Sequence, residues 1–273
     1  MTAKGVIDQF LTIFGDIKVF PFPLFCIYDP GSYRVKGEDI RKLISIVKPG
    51  DILVRGFKNY LDGYFIPGYF SHAGLYVGPV EEKDRELVHR PHGKKIFRPG
   101  DQMVVHALAE GVLMEDLIQF CRCDYMAVLR FPEKIRRSPQ AKPLPILDNQ
   151  YHPEEKAIMQ RLDGDEEVLF SEAFPVIFRV ALENVGRPYD FNFDFASFAR
   201  LSCTELVYFC TKCLGPFLDI SPVEKRVLFI KKAMIPPDAF VRSRLELIWT
   251  NSSVDPEKLA KRKSSPAHPR SRP

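Results

Sequence analysis

The sequence lacks any apolar run long enough to cross a bilayer. A membrane-spanning helix needs about 20 predominantly apolar residues. The first apolar stretch is interrupted by Asp8 and Gln9, and the next one, at residues 19–28, is short and contains two prolines. The start of the chain also does not have the pattern of a secretory signal. We therefore expect a soluble, cytoplasmic protein in a reducing compartment, where disulfides do not persist.

Three familiar catalytic motifs are also missing. The sequence contains no glycine-rich phosphate-binding loop, no His-Glu-x-x-His metal helix and no Gly-x-Ser-x-Gly nucleophile elbow. The common P-loop nucleotide enzymes, zinc peptidases and serine hydrolases are therefore not indicated by their usual signatures.

An excess of positive charge is missing from the body of the chain. The whole sequence has a formal net charge of +4, and residues 255–273 alone contain six basic and two acidic residues. Residues 1–254 are therefore formally neutral, which argues against an extended basic surface for nucleic acid. Residues 251–273 are expected to be a disordered basic tail. Weak contact of this tail with an anionic membrane surface or nucleic acid is the alternative.

Six cysteines are present, but their spacing does not favour a zinc site. Cys121 and Cys123 are one residue apart, whereas paired zinc ligands usually have two to four residues between them. Cys210 and Cys213 have a suitable spacing but fall on the apolar stripe of a predicted helix. We interpret all four as buried structural cysteines and expect no metal or organic cofactor.

The hydrophobic pattern divides the chain into three parts. Residues 1–48 are predicted to form a helical extension, because apolar residues recur there at helical spacing until Lys48-Pro-Gly50 interrupts them. Residues 49–250 are predicted to form one domain, and residues 251–273 are the tail.

Within residues 49–250, short strands precede the helices. Strands are predicted near residues 51–55, 72–77, 104–108, 112–114 and 125–130. A linker at residues 136–148 is followed by helices near 153–162 and 171–185, a helix from Cys203, and a small α/β piece at 222–250. Strands first and helices afterwards predict an α+β fold with an antiparallel, strongly curved sheet.

Cys203 is the strongest candidate for a nucleophile. It opens a predicted helix, and either Ser202 or Thr204 can serve the unpaired amides at the helix start. A thiol at the positive end of a helix dipole is expected to have a lowered pKa, and the thiolate is the reactive form.

Two histidines on predicted strands are candidate partners for this thiol. His72 lies at the start of a strand and is the candidate base. His106 lies in the middle of another strand and could orient the imidazole of His72 as a third member.

Five sequence blocks together resemble a known family. In chain order they are Gly50-Asp-Ile-Leu-Val54, Phe70-Ser-His-Ala-Gly-Leu-Tyr-Val-Gly78, Val105-His-Ala-Leu-Ala-Glu-Gly-Val112, Gly186-Arg-Pro-Tyr-Asp-Phe191 and Ser202-Cys-Thr-Glu-Leu-Val207. They resemble the YaeF/YiiX-like permuted papain-like amidases, a circularly permuted branch of the NlpC-type cysteine peptidase superfamily. The resemblance covers about residues 49–215.

The resemblance implies a circularly permuted papain-like fold and a Cys–His amidase or thiol-protease activity. Cys203 matches the nucleophile and His72 the base, with the histidine first along the chain. Tyr189 matches a tyrosine beside the nucleophile that helps to hold the substrate or the oxyanion.

Two further positions have alternative interpretations within the resemblance. The third polar position falls at His106, where many relatives have Glu, and Glu110 is the nearby alternative. An imidazole can still accept a hydrogen bond from His72, but it stabilises an imidazolium less than a carboxylate does. Glu205 also matches the family block, either as a substrate contact or as a first-turn acid favoured by the helix dipole.

The expected activity is hydrolysis of an amide or ester bond in a small-molecule, peptide or lipid substrate. Two alternatives stay open. One is a lipid acyltransferase or phospholipase of the lecithin retinol acyltransferase-like type, which the aromatic segment at residues 59–70 suggests. The other is a catalytically silent binding protein on the same fold, which the basic tail and the unusual His106 suggest.

Overall fold

The computed structural model describes residues 17–21, 24–28, 33–58, 69–88, 98–141, 146–191, 198–220, 222–227 and 230–255. The α-helices span Gly37–Ile46 (α1), Leu117–Phe120 (α2), Pro153–Asp163 (α3), Phe170–Glu183 (α4), Cys203–Cys210 (α5) and Asp238–Arg242 (α6). Short 3₁₀ helices span Glu82–Leu87, Asp148–Gln150 and Lys212–Leu214. The strands span Ile17–Pro21 (β1), Leu24–Tyr28 (β2), Ile52–Gly56 (β3), His72–Pro79 (β4), Gln102–Leu108 (β5), Gly111–Asp116 (β6), Tyr125–Arg130 (β7), Lys134–Ile135 (β8), Val168–Leu169 (β9), Val223–Val227 (β10), Ile230–Met234 (β11) and Glu246–Thr250 (β12).

A six-stranded antiparallel sheet with the order β12-β7-β3-β4-β5-β6 forms the centre of the fold. All of β3 and nearly all of β4 and β5 are buried, as expected for strands covered on both faces. The fold is therefore α+β with a central antiparallel sheet, as the order of the predicted elements indicates.

Side chains alternate between the two faces of this sheet. The first face carries residues such as Val54, Ala73 and Val105, which share one hydrophobic core with α3, α4 and α5. The second face carries Leu53 and Val104, which share a core with α1 and α2. His72 and His106 also lie on the second face by this alternation, and the start of α5 approaches β4 from the first face.

The last strand of the sheet, β12, comes from the end of the described chain. It pairs with β7, with a register shift between Leu247 and Trp249. Beyond β12, Asn251 continues the pairing with its side chain: Oδ1 accepts from the Met126 amide at 2.9 Å, and Nδ2 donates to the Asp124 carbonyl at 2.9 Å. The predicted small α/β piece at residues 222–250 is thus confirmed and contributes a strand to the main sheet.

The N-terminal extension differs from the helical prediction. Ile17–Pro21 and Leu24–Tyr28 form an antiparallel pair of strands, β1 and β2, rather than a helix. The helix predicted around Ile40 and Leu43 is present as α1. Proline at positions 21 and 23 opposes a continuous helix, and the aromatic and β-branched residues around them favour strands. Residues 1–16 lie outside the described residues.

The predicted linker at residues 136–148 is anchored to the domain where it is described. The amide of buried Ser138 donates to the Pro216 carbonyl at 2.8 Å. The predicted disordered tail beyond residue 255 lies outside the described residues. In the part of the chain that the structure describes, no helix is long and apolar enough to cross a membrane.

Candidate active site

Cys203 is the first residue of α5, where the sequence places it. Ser202 precedes the helix in an extended conformation, and its amide donates to Oε2 of Glu205 at 2.8 Å. A carboxylate at this position closes the first helical turn. The structure thus gives Glu205, which is buried, the helix-capping role that sequence analysis offered as the alternative to a substrate contact.

The helix itself is buried on every side. The sequence predicts an apolar stripe along it, and in the structure all eight residues of α5 are buried. The helix ends at Cys210, and Cys213 follows in a 3₁₀ turn. Cys121, Cys123, Cys210 and Cys213 are buried free thiols, which confirms their structural interpretation.

The thiol of Cys203 interacts with three backbone amides, that of Ala73 in β4, that of Thr204 and its own. Burial raises the pKa of this thiol, the amides lower it, and burial outweighs them, so that the pKa is about 11. The sequence-based expectation of a lowered pKa is therefore wrong, because it counted the helix dipole and not the desolvation of the thiol.

His72 and His106 contact each other on the second face of the sheet. Because Gly74 pairs with His106 in the β4–β5 register, His72 is diagonal to His106 on neighbouring strands. Nε2 of His72 lies 2.9 Å from Nδ1 of His106, with the rings nearly perpendicular at 87°. Of the two proposed third positions, His106 is thus the one in contact with His72, while Glu110 affects His106 only through its charge.

Cys203 contacts the backbone of β4 close to the start of this strand. The pairing of β4 with β5 begins at Gly74, so Ala73 lies just before it. The backbone amide of Ala73 interacts with the Cys203 thiol. Ala73 directly follows His72 in the chain, so the thiol contacts the β4 backbone one residue from the base candidate, whose side chain is on the second face of the sheet. Among the described residues, no hydrogen bond joins the Cys203 thiol to His72, and catalytic hydrogen bonds often form only once substrate is bound.

Glu115 and Arg55 extend the histidine pair, and sequence analysis missed both. Nε2 of His106 lies 3.2 Å from Oε2 of Glu115, and a guanidinium nitrogen of Arg55 lies 3.4 Å from the same oxygen. Burial raises the pKa of the Glu115 carboxyl, but the contact with His106 and the charge of Arg55 outweigh it, so the pKa is lowered. The hairpin register could have revealed Glu115, since it is diagonal to His106 across β5 and β6.

Phe120 lies against three of these polar side chains, those of His72, His106 and Arg55. Its ring centroid is 5.2 Å from that of His106 and 5.9 Å from that of His72, and the Arg55 guanidinium carbon lies 4.2 Å from it. A cation over an aromatic face at this distance is stabilised by the ring quadrupole. Gly74 makes room for the ring, because a Cβ at this position would lie 2.9 Å from Cε2 of Phe120.

Both imidazoles are neutral at ordinary pH. Burial lowers the pKa of His72 well below its usual value, and the nearby Arg55 and His106 lower it further. Burial also lowers the pKa of His106, which Glu115 opposes only in part. The resting state therefore has a protonated thiol at Cys203 and a neutral imidazole at His72, which can accept a proton.

Tyr189 lies in the segment that leads from α4 to α5. The chain turns at Gly186, whose φ of 87° suits glycine, and the Pro188 carbonyl accepts from the Leu201 amide at 3.0 Å. This hydrogen bond places Tyr189 near the start of α5. Its ring is half-buried and packs against Phe191, with 4.8 Å between the centroids.

A separate cavity of about 690 Å³ lies at the other end of α5, lined in part by Phe209 and Lys212. Nζ of Lys212 lies 2.7 Å from Oε1 of Glu155, and both side chains are buried. Within the described ranges, no group of three or more His, Cys, Asp or Glu side chains is arranged to hold a metal ion.

Comparisons with known proteins give one similar structure. No protein-family model matches the chain, and no curated protein matches it. A solved structure that is similar is the metalloprotein YiiX from Escherichia coli O157:H7, which is 14% identical and has a TM-score of 0.42. The match covers 75% of this chain and 97% of the YiiX chain.

Proposed function

We propose that this chain is a cysteine hydrolase on a permuted papain-like fold, which cleaves amide or ester bonds through an acyl-enzyme. The observation that carries the proposal is the position of the Cys203 thiol at the backbone amide of Ala73, the residue that follows His72 of the buried His72–His106 pair. Acyl transfer by a thiol needs a base to remove its proton and donors for the oxyanion.

The two pKa directions favour general-base catalysis over a resting ion pair. The Cys203 pKa of about 11 keeps the thiol protonated, and the lowered pKa of His72 keeps its imidazole neutral. Since Nε2 of His72 faces His106, Nδ1 is the nitrogen that remains for the thiol proton.

In the first step, Sγ of Cys203 attacks the carbonyl carbon as its proton moves to Nδ1 of His72. The carbonyl electron pair moves to the oxygen, and the resulting oxyanion is held by the Cys203 amide at the helix start and by Tyr189. The tetrahedral intermediate then collapses, and the departing amine or alcohol takes the proton from His72. Water attacks the thioester with His72 again as base, which releases a carboxylic acid and restores the thiol.

The burial of Cys203 also distinguishes it from the other cysteines. Cys203 is 6% exposed, whereas the other four described thiols are fully buried. A thiol that attacks a carbonyl needs such residual access, and His72, at 9% exposed, shares it. A catalytically silent binding protein on the same fold would not require solvent access at Cys203 and His72.

No observation in the described residues favours the lipid alternative. Of the aromatic segment at residues 59–70, only Tyr69 and Phe70 are described. Phe70 is buried, and the Tyr69 ring packs edge-on against Tyr125 at 5.4 Å. The burial of Phe70 and the ring contact of Tyr69 both anchor this end of the segment to the domain.

The test is turnover of a panel of fluorogenic amides, esters and phospholipids by wild type, Cys203→Ala and the matched control Cys213→Ala. We expect Cys203→Ala to lose turnover and labelling by an electrophilic probe while its circular dichroism stays native, and Cys213→Ala to keep both. Turnover by Cys203→Ala would refute the proposal. Lysolipid or an acylated lipid as the sole product would support the acyltransferase alternative, and no turnover by wild type would support the silent scaffold.

A further inference from the structure

We propose that Glu115, acting through His106, determines which ring nitrogen of His72 carries the proton and leaves Nδ1 as its basic nitrogen. Glu115 is thus a positioning residue, since it contacts His106 and not the reacting atoms. The consequence for turnover rests on the proposed hydrolase function, whereas the proton positions can be measured without it.

The argument starts from the contact between the two imidazoles. Nε2 of His72 and Nδ1 of His106 are 2.9 Å apart, within hydrogen-bond distance. A neutral imidazole has one N–H donor and one acceptor nitrogen. One of the two facing nitrogens must therefore carry a proton and the other a lone pair, and the contact alone allows either arrangement.

Glu115 removes this ambiguity from the other side of His106. Nε2 of His106 lies 3.2 Å from Oε2 of Glu115. An ionised carboxylate can only accept. Although the contact does not have the alignment of a hydrogen bond, a lone pair on this nitrogen would lie 3.2 Å from the negative oxygen and be repelled. The proton of His106 is consequently on Nε2, and its Nδ1 is an acceptor.

The same reasoning then fixes His72. Because Nδ1 of His106 accepts, Nε2 of His72 must carry the proton that it donates. A neutral His72 with its proton on Nε2 has its lone pair on Nδ1, and that is the nitrogen on which the proposed reaction depends. Without a preference set by Glu115, part of the population would hold the proton on Nδ1 and could not act as a base.

Arg55 keeps Glu115 in the ionised form that this requires. Its guanidinium is always charged and lies 3.4 Å from the Glu115 carboxylate. The guanidinium is itself held in place, since it donates to the Phe120 carbonyl at 2.9 Å and lies over the Phe120 ring. Its positive charge also disfavours a second cation at His72 or His106, so both rings stay neutral and their proton positions remain defined.

The registers of β3, β4, β5 and β6 place four side chains on one face of the sheet, those of Arg55, His72, His106 and Glu115. Arg55 is directly opposite His72 in the β3–β4 register. His106 and Glu115 follow as diagonal neighbours on β5 and β6. Glu110, in the turn between these strands, acts on His106 only by its charge and offers a matched acidic control.

The experiment is long-range ¹H–¹⁵N correlation NMR of protein labelled with ¹⁵N-histidine at neutral pH, which distinguishes protonated from unprotonated ring nitrogens. In wild type we expect both His72 and His106 to be protonated on Nε2. In Glu115→Gln, whose amide can either donate or accept, we expect mixed or reversed proton positions in both rings. Glu110→Gln should resemble wild type.

A wild-type His72 with its proton on Nδ1 would overturn the proposal, whether or not any variant folds. So would unchanged proton positions in a natively folded Glu115→Gln. Turnover gives a separate readout: Glu115→Gln should lower kcat by about 10- to 100-fold, as for loss of an outer-shell partner, with KM little changed. If Cys203→Ala retained turnover, the hydrolase proposal would fail while the NMR result still decided the role of Glu115.

Discussion

The Cys203 thiol interacts with the backbone amide of Ala73, the residue directly after His72 in β4. This contact joins the start of a helix to the start of a strand that lies far earlier in the chain. The amides at the thiol favour its anion, but burial outweighs them, which makes the proton on the sulfur a feature of the resting site.

The first prediction concerns the pH dependence of alkylation at Cys203. Because its pKa is raised to about 11, the rate of iodoacetamide modification should keep rising above pH 9. The rate for a free cysteine levels off above its pKa of about 8.5. Peptide mass spectrometry resolves Cys203 from the other thiols, and circular dichroism defines the pH range in which the fold persists. A plateau at neutral pH would instead indicate a preformed thiolate–imidazolium pair.

The second prediction concerns stability in acid. Burial lowers the pKa of His72 and of His106 below the unfolded value of about 6.5. As the pH falls below that value, the unfolded state takes up protons before the folded state, so the free energy of unfolding decreases. Each group contributes a slope of up to about 1.4 kcal/mol per pH unit.

Urea unfolding between pH 7.5 and 5 measures this slope. His106→Asn removes one of the two groups, so its curve should be shallower than that of wild type. Parallel curves for the two proteins would show that the buried imidazoles do not cause the loss of stability.

The third prediction is that Gly74→Ala destabilises the protein and disturbs the site. The new Cβ would lie 2.8 Å from Cγ1 of Val104 and 2.9 Å from the Phe120 ring, so that one of them must move. Such overpacking costs about 1–3 kcal/mol. Moving Phe120 also displaces the surface beneath both imidazoles, and turnover should fall.

Gly37→Ala is the control for this substitution. The nearest atom to its Cβ is the guanidinium nitrogen Nη1 of Arg41 at 3.7 Å, an ordinary contact, and the residue begins α1. Its stability in urea should be unchanged or slightly higher, because alanine favours helices. Equal stabilities for the two variants would contradict the packing argument.

The fourth prediction concerns the buried pair of Lys212 and Glu155, 2.7 Å apart. Lys212→Met leaves the Glu155 carboxyl without its cation in a buried position, which should cost about 3–5 kcal/mol of unfolding free energy. The double variant Glu155→Gln/Lys212→Met removes the buried charge and should recover most of this loss. A double variant no more stable than the single one would show that packing of the lysine stem, not charge, dominates.

The elements with strong periodicity were predictable from the sequence. The strand at Tyr125–Arg130 and the helices around residues 153–163 and 170–183 are found where alternation and helical spacing indicate them. The antiparallel pair of β1 and β2 was not, because apolar and aromatic residues interrupted by prolines do not reveal which strand pairs with which.

The candidate site residues could be proposed from the sequence, but their electrostatics could not. Local motifs single out Cys203 at the start of a helix, His72 at the start of a strand and His106 within a strand. Glu115 becomes visible only once the register of β5 and β6 is known. The pKa of Cys203 depends on how deeply other elements bury it, and a helix dipole read from the sequence carries no such information.

The pairing of β12 with β7 has a consequence for how the chain can be shortened. Met126 to Leu129 of β7 are fully buried, and the residues that shield one side of this strand arrive only with β12 and the Asn251 side chain. A protein ending before Glu246 would keep every proposed catalytic residue and yet present an open row of amides and carbonyls flanked by apolar side chains. Exposed edges of this kind template association between molecules, so such a fragment should self-associate although it retains the proposed catalytic residues.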